Sequence, residues 1–531
     1  MATTATLGIS IRAEASRLNI GLNFTGSTFL EDSFFIPPDT MGGVGSEHIV
    51  ELINGRYSVY EKTTGTPVQT SSLNQFWSDA GVSFSSFAFD PRVLYDPFSE
   101  RWFATSVDNP GSDNNFLLAV SNASDPTAGW TGFALDSDST NQRWADFPTL
   151  GFDQDGVYVS ANMFPISGRG AGGVTTTTVA VPKNDLLAAT PTATMATEFG
   201  SVNADSTAAP VDVGGVLNPT TLENEPLVAT PTVTVAQEAT STAINATIFE
   251  NVSPFETGFT LQPVVDLDNT GLPVALLSAF NTPAGFFKRS NITGDITSPT
   301  LDTSDGFIPI TPFGFPPNAN QPGSKPDLDS GDNRFSSNII LHNGAFWGVQ
   351  TVNNAGRAAL RWFQIDATTN LLLQEGLIAD PNLDFYYGSI AVNDFNDVVI
   401  GFSGSSENQF VSSYAALGQT VGGVTTFDTP MLLKEGVADY QRLDGIGRNR
   451  WGDYSATVID PTDPFTFWTF QEFVSAEDQW STQITELKIA RATVPEPASV
   501  FGVLTFAGLG AASLKRKNKN SAQAERVTSS E

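Results

Sequence analysis

One strand–turn–strand plan recurs along most of this chain. Its first instance runs through residues 48–53, the turn Asn54-Gly55 and residues 56–60. Asn-Gly between two runs of β-branched and aromatic residues is the strongest short-range signal of a β-hairpin, because both residues accept the positive φ of a type I′ turn. Six further hairpins of this style follow, with turns near residues 97, 155, 270, 343, 396 and 462.

The spacing of these turns predicts an all-β fold of the β-propeller type. Most neighbouring turns lie about 40 to 75 residues apart, which is the length of one antiparallel propeller blade, and a closed ring of blades leaves few open sheet edges. We therefore predict about seven blades of antiparallel strands over residues 35–492. An elongated array of β-sandwiches and a β-helix are the alternatives.

A segment rich in Thr, Ala and Pro, at about residues 168–256, interrupts the regular spacing. It contains too few large apolar residues to bury a core of its own. We expect a strand around residues 176–181, followed by a mobile insertion on the ring rather than a separate domain.

Composition excludes several classes of function. The formal net charge of -31 repels phosphate backbones, so binding to nucleic acid is not expected, whereas binding to cations is compatible with it. The chain has no cysteine, which excludes disulfides, thiol nucleophiles and thiolate metal sites.

Catalytic signatures are few. His48 and His342 are the two histidines of the chain, and neither stands near a nucleophile elbow, so a Ser-His-Asp relay and a histidine-rich zinc site are both disfavoured. We predict that the protein is not an enzyme. Hydrolysis of glycans by a pair of carboxylates stays open, and Asp453 is the most suggestive acid, although packing within a blade also explains its neighbours Trp451 and Tyr454.

An acidic, glycine-containing loop is a candidate calcium site. Three carboxylates alternate there, and oxygen ligands on a flexible loop are the kind that Ca²⁺ prefers; they are Asp327, Asp329 and Asp332. The spacing departs from a full EF-hand, because Asn338 stands where the bidentate Glu would be. A solvated acidic loop, or one paired with Arg334, is the alternative.

The C-terminal region, residues 494–519, has three ordered parts. The first is Pro495-Glu496-Pro497, and the second is an apolar run over residues 498–514. As a helix that run would be about 25 Å long, at the short end of what spans a bilayer. The third part is a basic cluster of the kind that stops membrane transfer, made by Lys515, Arg516, Lys517 and Lys519. A polar tail, residues 520–531, completes the chain.

This arrangement resembles the PEP-CTERM protein-sorting signal of Gram-negative bacteria and cyanobacteria. In that family the Pro-Glu-Pro marks the site at which a membrane-embedded exosortase processes the protein and releases it toward the cell surface. The resemblance implies an exosortase-type partner, processing at Pro495, Glu496 and Pro497, and an exported protein held in the membrane by its C-terminal helix before it reaches the surface. A simple single-span tail anchor is the alternative.

Other blocks look similar to those of large bacterial exported proteins with propeller-like folds, many of which carry the same sorting tail. They are residues 37–42, 95–97 with 101–102, 147–151 and 450–456. Export also needs a leader, and residues 1–34 do not resemble one, because Arg12, Glu14 and Arg17 interrupt the apolar stretch. We expect the true start to lie upstream.

Together these features predict an exported surface or matrix protein whose propeller presents a binding surface for extracellular polysaccharide or for surface proteins. A carboxylate-dependent glycan hydrolase and a purely structural matrix protein are the alternatives.

Overall fold

The computed structural model describes residues 17–166, 173–202, 211–212, 234–235, 260–279, 284–304, 307–331 and 333–490. Residues Leu18–Ile489 form one compact unit. The rest of the chain, Met1–Arg17 with Ala490–Glu531, is grouped as a second unit and falls almost wholly outside the described residues.

The compact unit is a β-propeller with five blades, each a separate antiparallel sheet of four or five strands. Strands are numbered along the chain, and the strands of these blades are as follows. Blade 1 is β2 (Met41–Val44), β3 (His48–Ile53), β4 (Arg56–Glu61) and β5 (Pro67–Ser71); blade 2 is β6 (Ala88–Asp96), β7 (Arg101–Asp108), β8 (Asn115–Ser121) and β9 (Trp130–Asp136); blade 3 is β16 (Gln262–Pro263), β18 (Val274–Ser278), β19 (Ala284–Thr293), β20 (Thr300–Asp302) and β21 (Phe307–Phe313); blade 4 is β26 (Asp384–Val392), β27 (Val398–Ser406), β28 (Gln409–Val421), β29 (Val424–Phe427) and β30 (Met431–Lys434); blade 5 is β31 (Ala456–Asp460), β32 (Asp463–Ala476), β33 (Gln479–Ala490) and β1 (Arg17–Thr28).

The prediction of about seven blades is wrong, because the strands that would form two more are joined in one nine-stranded sheet. Its strands, in spatial order, are β13 (Thr197–Val202), β12 (Thr175–Pro182), β11 (Gly156–Pro165), β10 (Arg143–Phe152), β17 (Val265–Asp266), β22 (Ile340–His342), β23 (Ala345–Asn354), β24 (Arg357–Asp366) and β25 (Leu372–Ile378).

Strand β17 joins the two halves of that sheet by parallel pairing on both sides. Val264 donates its N–H to Ala275 in blade 3 (3.1 Å), whereas the next residue, Val265, donates to Ile339 (2.9 Å). Successive N–H groups of an extended chain point to opposite sides, and each buried one needs a partner. Residues 264–265 therefore bond alternately to β18 of blade 3 and to the chain just before β22 of the nine-stranded sheet.

All seven predicted hairpins are present as paired strands. The strand expected around residues 176–181 is confirmed as β12. Most of the predicted insertion, residues 168–256, lies outside the described residues, which include there only the pair β14 (Val211–Asp212) and β15 (Thr234–Val235) beyond β13. The helices in the described ranges are α1 (Leu73–Asp79), α2 (Lys183–Leu186) and a 3₁₀ turn at Pro126–Ala128.

Strand β1 completes blade 5 by pairing with β33, so the first described strand closes the ring against the last. Leu22 N–H donates to Glu486 (2.9 Å), and Ser27 N–H donates to the Thr482 hydroxyl (2.7 Å). The buried carboxylate of Glu51 in blade 1 accepts the Ser27 hydroxyl (2.6 Å). No strand is evident in residues 1–34 from the sequence, because the partner that orders this strand stands more than 450 residues away.

The predicted C-terminal transmembrane helix, and with it the membrane-anchored location, is wrong by this structure. Within the described part of the chain, no helix has the length and apolar character that crossing a bilayer requires. Residues 498–514 lie outside the described residues. With 17 residues this run is at the lower limit of the range that spans a bilayer, so its length alone gave the prediction little support.

Candidate functional site

The innermost strands of the ring include β2, β6, β10 and β26. A residue with left-handed backbone lies just before or in the first half of each of them. Asp39, Asp90, Phe147 and Tyr387 all have positive φ, between 51° and 52°. Asp90, Phe147 and Tyr387 also lie at β-bulges, in β6, β10 and β26. Left-handed backbone is costly for residues other than glycine, and bulges redirect side chains. The starts of these strands thus aim their side chains toward one another; we call this end of the ring the start face, and the opposite end the turn face.

Three aspartates from three innermost strands meet at the start face. Asp90 makes side-chain hydrogen bonds with both Asp39 and Asp146. Burial, followed by the neighbouring acids, raises the pKa of Asp39 and that of Asp146 well above the ordinary value. Two carboxyls in hydrogen-bond contact cannot both ionise easily, so Asp39 and Asp146 hold protons where exposed aspartates would have lost them.

Asn54 holds two of these aspartates in place. Its Nδ2 donates to Asp39 Oδ2 (2.6 Å), and its Oδ1 accepts the N–H of Asp90 (2.7 Å). In the Asn54-Gly55 turn only Gly55 has positive φ, whereas at Asn343-Gly344 both residues do. The first hairpin therefore does not have the type I′ turn that its sequence predicted. Its asparagine amide binds the acid cluster instead.

Two arginines face the aspartates from the loop before β31. Arg450 Nη2 donates to Asp453 Oδ2 (2.6 Å), and Arg448 Nη1 lies 3.5 Å from Asp329 Oδ2. The Asp453 N–H donates to Asp39 Oδ1 (3.1 Å), which joins this loop to the aspartate trio. The start face therefore carries five aspartates from separate loops and strands, together with cationic partners.

The Tyr387 hydroxyl lies among these charges without a hydrogen-bond partner in the described part of the chain. The residue is 4% exposed. Burial, then Asp329 and Asp453, raises the pKa of this hydroxyl well above the ordinary value. A buried hydroxyl left unpaired costs free energy, so this position favours a ligand that supplies the missing partner.

Arg92 forms the floor of the site and is fully buried. Its guanidinium carbon lies 3.4 Å from the centre of the Tyr454 ring and 5.2 Å from that of Phe147. Nε donates to Pro148 O and Nη1 to Ser336 O, each at 2.9 Å. Nη2 has no hydrogen-bond partner among the described residues, and burial lowers the pKa of this side chain.

Glu472 of β32 is buried next to the acid cluster and makes hydrogen bonds to the two chain segments that hold Asp39 and Asp453. It accepts the Thr40 hydroxyl (2.7 Å) and the Gly452 N–H (3.1 Å). Burial, against the lowering effect of these donors, raises its pKa to about 8. A neutral carboxyl thus ties the residue after Asp39 to the residue before Asp453.

Of the residues singled out from the sequence, Asp453 lies in this cluster. Its neighbours Trp451 and Tyr454 are 0% and 1% exposed, which is compatible with the packing role suggested by the sequence. His342 is a hairpin residue at the turn face, paired with Ala345, and its ring nitrogens lie within 3.3 Å of carboxylates of Asp268 and Asp394. His48 Nδ1 lies 3.7 Å from Asp125.

The residues of the calcium prediction have separate surroundings. Asp329 is 9% exposed, accepts the Gly331 N–H (3.1 Å) and faces Arg448, whereas Asp327 is exposed. Asp332 lies outside the described residues. In the part of the chain that the structure describes, no three His, Cys, Asp or Glu side chains are placed so that they could hold one metal ion. Calcium binding therefore stays a prediction. Arg334 lies 5.6 Å from the Phe147 ring centre.

The residues of the predicted sorting signal also lie outside the described residues; they are Pro495, Glu496, Pro497, Lys515, Arg516, Lys517 and Lys519. Their roles stay predictions.

Sequence reasoning missed Asp39, Asp90, Asp146 and Tyr387. A signal for the aspartates does exist, because each stands within two residues of a proline just where an innermost strand begins. Proline lacks a donor and ends regular pairing, so Asp-Pro and Pro-Asp neighbours at strand starts could have marked these positions.

A cavity of about 340 Å³ lies elsewhere, against blade 1 and β1. Its lining includes Arg56 and Asp32, which form an ion pair at 3.2 Å, and contains none of the start-face aspartates. It shares no residue with the cluster.

No protein-family model matches this sequence, and comparison with curated proteins found no significant relative. Solved structures with some likeness include a protein of unknown function from Dyadobacter fermentans (10% identity, covering 89% of this chain and 99% of that one, TM-score 0.29). Others are the sialidase of Trypanosoma rangeli (10% identity, 87% and 60%, TM-score 0.36) and the endo-arabinase of Bacteroides thetaiotaomicron (8% identity, 68% and 96%, TM-score 0.30). This chain spans less than two thirds of the sialidase chain. At these TM-scores the likenesses assign no function.

Proposed function

We propose that the ring binds a glycan through the aspartate–arginine cluster of the start face. The observation that carries this proposal is the mixture of groups brought together at the start face. Carboxyl groups that keep their protons stand beside an arginine–carboxylate pair, Arg450 with Asp453, and beside the unpaired hydroxyl of Tyr387. A sugar hydroxyl both donates and accepts hydrogen bonds, so it can use every group in such a set.

The burial of these side chains also favours small polar ligand groups over a large, flat protein surface. Asp39, Asp329 and Tyr387 are each less than 10% exposed. Protein interfaces place large contact residues on an open surface, whereas small-molecule sites are concave with a few converging polar groups. The net charge of -31 further disfavours strongly anionic ligands at long range.

Binding can be tested on a glycan array with the full-length protein. We expect Asp453→Asn to lose binding, because it removes the partner of Arg450. Asp428→Asn, which removes the same charge from an exposed position, should keep binding. Absence of any glycan ligand for the wild type would refute the proposal and favour a structural role.

Hydrolysis of the bound glycan is a second candidate function, favoured by one observation. Asp146 has its pKa raised well above the ordinary value, whereas Asp453 is ion-paired with Arg450. A protonated acid near an ionised carboxylate is the pairing that glycoside hydrolysis uses. Release of new reducing ends by the wild type, abolished in Asp146→Asn, would establish hydrolysis; bound glycan without new ends would leave binding alone.

The sorting signal is a separate proposal, supported by the sequence Pro495-Glu496-Pro497 and the basic cluster that follows. We infer processing by an exosortase-type enzyme at this tripeptide. Mass spectrometry of the mature C-terminus from the native host tests it. An intact Glu531 terminus would refute processing.

A further inference from the structure

A file of aromatic rings runs beside the acid cluster across the start face. Successive ring centres lie 5.9 Å apart for Phe35 and Phe87, 5.5 Å for Phe87 and Phe89, 6.3 Å for Phe89 and Trp144, and 5.5 Å for Trp144 and Phe164. These rings come from the loop before β2, from the start of β6 and from the hairpin of β10 and β11. Five rings in unbroken contact thus connect three consecutive parts of the chain.

This aromatic file is partly open to solvent. Phe89 is 9% exposed and lies in the core, and Phe87 and Trp144 pack against that core. Phe35, Phe87, Trp144 and Phe164 are nevertheless only half-buried. Half-buried rings in a row are unusual where a core could cover them, and large aromatic side chains that stay accessible are typical of binding surfaces. The file therefore has the character of a contact surface rather than of core packing alone.

The aromatic file is continuous with the acid cluster. Phe89 directly precedes Asp90, and Trp144 lies two residues before Asp146, on the same face of β10. In the ladder, Trp144 pairs with Phe164 and Asp146 with Asn162. A ligand that reaches the carboxyls along β10 must therefore pass Trp144.

We propose that the aromatic file is a binding track for an extended, neutral, β-1,4-linked polysaccharide whose chain leads into the acid cluster. This inference rests on the proposed glycan-binding function and adds the class of glycan. Pyranose rings joined by equatorial linkages form a flat ribbon with apolar C–H faces and polar edges. Such faces fit aromatic rings through dispersion and hydrophobic contact. Successive rings of the file are tilted by 32° to 53°, so each ring would contact the polysaccharide separately.

Charge supports a neutral chain in particular. The five rings of the aromatic file carry no charge, and the protein as a whole has a net charge of -31, which repels acidic polysaccharides. Single sugars or short glycan ends would need only the acid cluster and would leave the aromatic file unused.

The test is a length series of cello-, xylo- and manno-oligosaccharides of two to six units, measured by isothermal titration calorimetry with the full-length protein. We expect at least one series to bind, with affinity rising at least tenfold from two to six units. Trp144→Leu and Phe87→Leu should each weaken binding of the six-unit chain by about tenfold and leave the two-unit affinity within twofold. Leucine keeps apolar volume at these half-buried positions, and the melting temperature of each variant reports whether it folds.

Phe395→Leu is the matched control, because it removes a ring that is 48% exposed at the turn face. It should change neither affinity. Affinity that is flat with length, or ring variants that weaken short and long chains equally, would overturn the track but leave the glycan-binding proposal standing. Failure of all three series would also overturn the track, whereas a glycan array without any ligand would refute the proposed function itself.

Discussion

The buried carboxyl of Glu472 makes the stability of the ring depend on pH, and Glu472→Gln should remove that dependence. The folded state keeps the proton up to a pH near 8, whereas the unfolded chain releases it near its ordinary pKa of about 4.5. Its contribution to stability is therefore complete below that value and is lost as the pH rises toward 8.

The magnitude follows from the two pKa values. A difference of one in pKa corresponds to about 1.4 kcal/mol, so the complete loss is at most about 5 kcal/mol. Between pH 5 and pH 8 the loss is about 3 to 4 kcal/mol. For a unit of this size the entropy of unfolding is about 1 kcal/mol per kelvin, so the melting temperature should fall by about 3 to 4 °C from this carboxyl alone.

Glutamine keeps the contacts that Glu472 makes. Its Oε1 can still accept the Gly452 N–H, and its Nε2 can donate to the Thr40 hydroxyl, which turns to accept. The variant should therefore fold, and position 472 should contribute no pH dependence to its melting temperature. Other carboxyls with raised pKa values, such as Asp108 and Asp153 at about 6, titrate equally in both proteins and cancel in the comparison.

The assay is differential scanning fluorimetry of wild type and Glu472→Gln from pH 5 to pH 8. The wild type should lose about 3 to 4 °C more than the variant over this range. Glu47→Gln, at an exposed position, is the control and should follow the wild type. Parallel curves for wild type and Glu472→Gln would refute the reasoning from burial.

Three further changes test other parts of the structure. Asn54→Ala removes the amide that holds Asp39 and Asp90; it should cost about 2 to 4 kcal/mol by thermal melting, and at least tenfold in glycan affinity, because buried groups lose their partners. Arg92→Met leaves two carbonyls unsatisfied and should lower the melting temperature by about 2 to 4 °C; an unchanged melting temperature would contradict the proposed floor. Removal of residues 1–28 deletes β1 and exposes the edge of β33, whose unpaired backbone groups can then pair with another chain. Size-exclusion chromatography should therefore show aggregation. A stable monomer would contradict closure of the ring by β1.

Local features of the fold were predictable because each depends on a few adjacent residues. The hairpin at Asn343-Gly344 forms as expected, since both residues have positive φ there. Strand β12 was found in spite of its unusual threonine run, because β-branched residues favour strands wherever packing allows. Asp453, named from the sequence as the most suggestive acid, does lie in the start-face cluster, although its aromatic neighbours gave no indication of the acids that it joins.

The sequence by itself thus determined that the chain is a series of antiparallel hairpins without cysteine chemistry, because turns and strand pairing of this kind follow from the φ preferences and side-chain periodicity of short segments. Only the tertiary structure decided that five blades accompany one nine-stranded sheet, that β1 closes the ring, and that the start-face aspartates meet. Asp39 and Asp453 are 414 positions apart. Their contact, and the burial that raises the pKa of Asp39, exist only once the blades have assembled around one axis, so no local pattern could carry them.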